Sequence, residues 1–164
     1  MLELKQINKY YNQGTVNEMC LFEDFSLTIR DRQFVSVVGS NGSGKTSMLN
    51  IICGSIPLDS GRIIIGGKDI TSMPEYKRQR RIGRVYQNPA MGTCPHMTIL
   101  ENMALADNKG KPFNLLPGTN RQRINYYKEQ LHSLGLGLED KLHVKVGVLS
   151  GGQRQAMALL MSTM

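Results

Sequence analysis

The chain has 164 residues, 40% of them hydrophobic and 20% charged, a composition that fits one globular domain and excludes a disordered or fibrous chain. No apolar run approaches the roughly 18 residues needed to span a bilayer, and the N-terminus has no signal-peptide pattern, so the expected setting is cytoplasmic. The net charge of +7 suits either a polyanionic partner or a solvated basic face, and Cys20, Cys53 and Cys94 match no zinc or disulfide spacing.

Residues 2–8 have the length of a strand, and residues 25–30 alternate apolar with polar in the period of a half-buried strand. Tyr10 and Tyr11 lie between them in a polar segment, where an exposed ring can stack on a purine or, more simply, pack on the sheet edge. Residues 33–38 read as a buried strand. They run into Gly39, Ser40, Asn41, Gly42, Ser43, Gly44, Lys45 and Thr46, which fit the phosphate-binding pattern G-x-x-x-x-G-K-[ST] at every fixed position. Residues 46–52 continue as a helix stopped by Gly54.

That order of strand, loop and helix is what phosphate chemistry requires. Glycines at 39, 42 and 44 let the backbone turn and approach a polyanion, so that its N–H groups and the positive end of the helix dipole face the phosphates. Lys45 reaches the β- and γ-phosphates as a point charge, and the Thr46 hydroxyl offers one oxygen to Mg²⁺. The plain alternative is a Gly/Ser loop that joins a strand to a helix.

Residues 57–61 form a turn and residues 62–65 a short strand. A basic helix is predicted over residues 74–81, with Lys77, Arg78, Arg80 and Arg81 on a solvated face rather than on nucleic acid, because Tyr76 is its only stacking ring. Residues 82–87 read as a strand with Gln87 at its exit before Asn88 and Pro89. A loop over residues 90–97 leads to Thr98 and Glu101, a capping box that opens a helix to about Asp107. Residues 109–118 are a polar, Pro/Gly-rich connection. A second helix follows over residues 120–134, with Ile124, Tyr127, Leu131 and Leu134 on one face.

The last motif is Leu149, Ser150, Gly151, Gly152 and Gln153. Ser150 is a natural N-cap and Gln153 completes the reciprocal box, so this is either a capped helix start alone or, with two glycines at the helix N-terminus, a second anion site.

Taken together, the P-loop, Gln87 and this pentapeptide stand in the order and approximate spacing of the ATP-binding cassette (ABC) ATPases, and the pentapeptide matches that family's signature. The chain resembles the branch that serves bacterial transporters, importers of amino acids or similar small solutes. The resemblance implies an α/β P-loop NTPase core with an antiparallel N-terminal β-subdomain and a helical insertion: residues 1–89 as the ATP-binding core, 90–148 as the helical subdomain and 149–164 as the signature and its helix.

It further implies that residues 39–47, Ser47 included, bind the triphosphate, with Thr46 and Gln87 on Mg²⁺, Lys45 and Gln87 catalytic, and Tyr11 stacked on adenine. Ser150, Gly151, Gly152 and Gln153 would meet the ATP of a second nucleotide-binding subunit in a head-to-tail dimer. The loop over residues 88–97 would face transmembrane permease subunits, so the protein would work at the inner face of the membrane, with no direct nucleic-acid contact. Two rival readings are a soluble cassette ATPase acting on nucleic acid or the ribosome, and a non-catalytic nucleotide-binding fragment.

The sequence departs from the family pattern in one respect. The family places a run of four apolar residues ending in Asp, then a catalytic Glu, a loop and a histidine after the signature helix. The sequence stops at Met164, and Asp69, the nearest substitute, is separated from Ile65 by Gly66, Gly67 and Lys68. The expectation is therefore an N-terminal piece with its C-terminal part missing, whose full-length parent is the ATPase and which is itself inactive.

Overall fold

Ten residues of N-terminal strand set up everything that follows. β1 (Leu2–Tyr11) pairs antiparallel with β2 (Met19–Ile29), and a computed structural model describes this and the rest of residues 1–112, 115 and 117–164. Two compact units are present, residues 1–82 and 83–164.

In the first unit Leu4 and Ile7 are both buried although they lie three apart, which strict strand alternation forbids. Bulges resolve the conflict. Between the pairs Leu4↔Leu27 and Ile7↔Phe25 β1 spends one residue more than β2, and between Ile7↔Phe25 and Lys9↔Phe22 β2 spends one more than β1. Gln6 and Asp24 take up these extra steps at φ 47° and 44°.

After the glycine-rich loop comes α1 (Lys45–Cys53), stopped by Gly54 in the left-handed region with its N–H on Asn50 O and Ile51 O. β3 (Ser60–Ile65) then returns beside β1 and β4 (Lys68–Asp69) beside β3, giving an antiparallel sheet of order β2-β1-β3-β4. Only glycine fits at 61, because a Cβ there would stand 2.5 Å from Gln6 O. Met48, Ile51 and Ile52 of α1 pack on Leu4, Ile7, Ile63 and Ile70, and each such side chain contributes about 1.5–3 kcal/mol by leaving water.

The basic helix is shorter than predicted, α2 (Glu75–Arg78), and Arg78 is no part of a solvated face. It is buried. Its guanidinium donates to Ile51 O, Ile52 O, Thr71 O and Met73 O at 2.7–3.1 Å, so it joins the Gly54 N–H in serving the last-turn carbonyls of α1.

The buried strand predicted over residues 33–38 does not form. Phe34 is 92% and Val38 89% exposed, and the segment runs without a ladder. Residues 82–87 likewise carry no strand. The physical reason is that a strand apolar on both faces exists only between neighbours that take its N–H and C=O groups. The four strands described here pair among themselves, and neither run is part of their ladder.

In the second unit a 3₁₀ turn (Pro89–Gly92) precedes α3 (Ile99–Asp107), whose capping box is as predicted: Thr98 accepts the Glu101 N–H and Glu101 accepts the Thr98 N–H. α4 (Ile124–His132) begins later than predicted, after a 3₁₀ turn (Arg121–Arg123). Part of the connection assigned to residues 109–118, namely 113, 114 and 116, lies outside the described residues.

α5 (Gly151–Thr163) completes a core of Ile99, Met103, Tyr127, Leu131, Leu138, Val146 and Met157. Asp107 ties α3 to α4 by accepting from Arg123 at 2.7 and 3.0 Å and from the Tyr127 hydroxyl at 3.0 Å. Burial, then the bond to Asp107, pushes the Tyr127 phenol up to about 12. Among the described residues no helix is long and apolar enough to cross a membrane.

Candidate functional site

The glycine-rich loop is shaped by its glycines and closed by its own lysine. Gly42 and Gly44 sit at φ 85° and 86°, and a Cβ on Gly39 would stand 2.6 Å from Ser43 Oγ. Ser43 N–H donates to Ser40 O at 3.3 Å, which tightens the turn around Asn41. The Lys45 ammonium donates to Gly39 O (2.8 Å), Ser40 O (2.6 Å) and Ser43 Oγ (3.2 Å). Among the described residues only neutral oxygens hold this cation, so a phosphate arriving at the loop offers it a stronger, charge-assisted partner.

Directly behind the lysine, α1 starts at Gly44 with no side-chain cap. The first-turn N–H groups around Thr46 and Ser47 therefore face outward with the positive end of the helix dipole, the arrangement that takes an anion.

The loop and Tyr11 share one end of the sheet. A Cβ on Gly44 would meet Leu21 Cδ1 at 3.0 Å and Phe22 Cζ at 3.4 Å, so β2 backs the start of α1. Tyr11 pairs with Met19 on that same strand, two residues from Leu21. Its ring is half-buried, with the Lys9 ammonium 5.6 Å over the centroid. Lys9 in turn pairs with Asp59 Oδ1 at 2.9 Å, while Asp59 Oδ2 accepts the Tyr10 N–H at 2.6 Å. Those two bonds, Lys9 first, hold the Asp59 carboxyl below the usual carboxylate range.

The remaining sequence-predicted residues belong to the second unit. Gln87 is exposed at a bend before Asn88. Ser150 caps α5 by accepting the Gln153 N–H at 3.3 Å, and Gln153 Oε1 accepts the Ser150 N–H at 3.2 Å. In that box the Ser150 hydroxyl only accepts, leaving its own proton to donate. Gly151 and Gly152 are exposed, and a Cβ on either would meet nothing within 4 Å. Arg154 steadies the approach to the box by donating from Nη2 to Gly147 O (2.9 Å) and Leu149 O (3.4 Å).

Three supporting residues escaped the sequence reading. Asp59 lay inside what looked like a plain turn, and Arg154 inside the helix that follows the signature. Asn102, fully buried, accepts the Cys94 N–H at 2.8 Å and donates to Cys94 O and Thr98 O, organising the loop before α3. Its one signal was a polar amide on the core-facing side of an otherwise apolar helix.

A P-loop nucleotide-binding fold is the class that this loop and helix define, and the known proteins agree. The family model described as ABC transporter matches residues 22–164, and the chain belongs to that family. It is 43% identical over 164 residues to the tyrosine transport ATP-binding protein of Clostridioides difficile, covering all of this chain and 65% of that protein. It is 38% identical over 159 residues to a spermidine/putrescine import ATP-binding protein of Haemophilus influenzae, covering 97% of this chain and 38% of that protein. The chain thus spans less than two thirds of the length of these relatives.

Among solved structures it resembles an ATP-binding cassette captured as a dimer in a post-hydrolysis state with ADP and Pi, at a TM-score of 0.77 and 28% identity over 99% of this chain and 68% of that one. A second dimeric structure of the same cassette gives a TM-score of 0.75 at 29% identity.

Proposed function

We propose that this chain is the nucleotide-binding part of the ATPase subunit of a bacterial ABC importer, in which ATP binding and hydrolysis drive uptake of a small solute. The observation that carries the reading is the uncapped start of α1 beside a lysine held by three neutral oxygens of its own loop. In this reading Gly39, Ser40, Asn41, Gly42, Ser43 and Gly44 wrap the triphosphate, Lys45 leaves its carbonyls for the β- and γ-phosphates, and the N–H groups of Thr46 and Ser47 complete the cradle. Tyr11 stacks on adenine.

The Thr46 hydroxyl and the Gln87 amide oxygen are hard oxygen donors, the chemistry that Mg²⁺ takes while keeping most of its water. When bound, that ion neutralises charge on the transferring phosphoryl group, and Gln87 orients the attacking water. Ser150, Gly151, Gly152 and Gln153 serve the γ-phosphate held by a second subunit in a head-to-tail dimer, and the open space around both glycines suits such an approach. Permease subunits would meet the loop over residues 88–97, at the cytoplasmic face of the membrane. Hydrolysis is assigned to the whole protein, since the residues in hand supply the cradle and part of the metal site.

Isothermal titration with Mg-ATP tests the reading. Lys45→Ala should weaken binding by about 100-fold or more, a loss of about 2.7 kcal/mol in a charge-assisted contact. Equal affinity in wild type and variant, or no binding by the folded chain, removes the P-loop as a working site.

A further inference from the structure

β1 outruns β3. Their ladder ends at Asn8↔Ser60, yet β1 continues to Tyr11. Over those last residues Asp59 stands in for the missing strand: its N–H donates to Asn8 O (3.1 Å), its Oδ2 accepts the Tyr10 N–H and its Oδ1 holds the Lys9 ammonium. Lys9 is only 8% exposed, unusual for a lysine, and its ammonium covers one face of the Tyr11 ring. A single carboxylate thus fixes both the peptide that leads into Tyr11 and the cation that closes one side of its ring.

We infer that Asp59 is a positioning residue for a purine base: through the Tyr10 N–H and Lys9 it holds Tyr11 with one face shut by the ammonium and the opposite face presented for stacking. This rests on the reading of Tyr11 as the adenine platform. The energetic logic is pre-organisation. A tyrosine at a strand end that is paired on one side only keeps freedom that is lost when a ligand stacks on it, and that ordering subtracts from affinity. A tether already in place removes the cost. A half-buried ion pair is by contrast weak evidence for a stability role, because desolvation cancels much of its attraction.

The test compares two ligands on the 164-residue chain, Mg-ATP and Mg-tripolyphosphate, the second having phosphates and no base. Asp59→Ala should weaken ATP about tenfold, equivalent to about 1.4 kcal/mol, while tripolyphosphate stays within about twofold, which also reports that the loop is folded. In a Tyr11→Ala background the same change should cost nothing further, because the two residues act as one unit. Lys9→Met should reproduce part of the selective loss.

A loss of the same size for both ligands, additive losses in the double variant, or an unchanged ATP affinity in Asp59→Ala would each overturn the inference while leaving the platform reading intact. If Tyr11→Ala itself binds ATP as wild type does, the platform reading fails and takes the inference with it.

Discussion

Two helices in this protein begin with adjacent small residues, and they begin in opposite ways. α1 starts from a left-handed glycine, has no side-chain cap, and keeps the Lys45 ammonium on neutral loop oxygens. α5 starts from a serine in a reciprocal box with Gln153. The first leaves donors open that something else must take. The second closes the Gln153 and Ser150 N–H groups with its own side chains, and its glycines answer no need of the backbone, since neither has a positive φ or a crowded Cβ position. Similar-looking Gly/Ser strings therefore carry different physics: in one the glycines make the shape, in the other they clear the space above it.

Breaking the first shape should have the largest effect. Gly44→Ala forces a non-glycine residue into the left-handed region, at about 1–2 kcal/mol, and drives its Cβ to 3.0 Å from Leu21. Mg-ATP affinity measured by titration should fall by about 100-fold, because the N–H groups of the cradle no longer converge. Binding near the wild-type level would mean that the loop conformation is not what selects glycine there.

The two units also differ in what pins them, which gives a way to disturb one helix start and spare the other. α1 is closed at its far end by the Arg78 guanidinium, whereas α5 packs in the core that holds Tyr127, hydrogen-bonded to Asp107. Because the folded pKa of Tyr127 is raised from 10.0 to about 12, its contribution is fully present below pH 10 and is lost as the pH climbs from 10 through about 12. Hydrogen-exchange protection of α4 and α5 should therefore fall across that window ahead of α1, and Tyr127→Phe should flatten the alkaline loss. Equal loss of protection in all three helices would erase the distinction between the units.

Much of this was legible in the sequence, for physical reasons that can be named. The P-loop, both capping boxes and the Gly54 stop are local: a few neighbouring residues satisfy one another, so the pattern and the structure coincide. Long-range substitutes were not legible. Asp59 acts as a strand partner for Tyr10, 49 residues away, and Arg78 caps a helix 26 and 27 residues upstream; nothing in the surrounding sequence announces either. The strands read into residues 33–38 and 82–87 failed for the related reason that a strand-like run states a preference without supplying the neighbour that pairs with it.

The smallest effect separates cap from clearance at α5. Ser150→Ala removes the acceptor for the Gln153 N–H and should cost the second unit about 1 kcal/mol, read as a shift of its denaturation midpoint. Gly151→Ala and Gly152→Ala act the other way. Alanine is the better helix former by up to about 1 kcal/mol in a helix interior, and at these first-turn positions a gain of a few tenths is expected, since each new methyl enters open space. Mg-ATP affinity of the chain should be unchanged in all three variants, because the P-loop is untouched. If either alanine destabilises the unit, a backbone requirement explains the glycines and the comparison with α1 collapses. If both stabilise it, the sequence keeps two residues that weaken its own helix, and the reason for them has to be a group that comes close from outside.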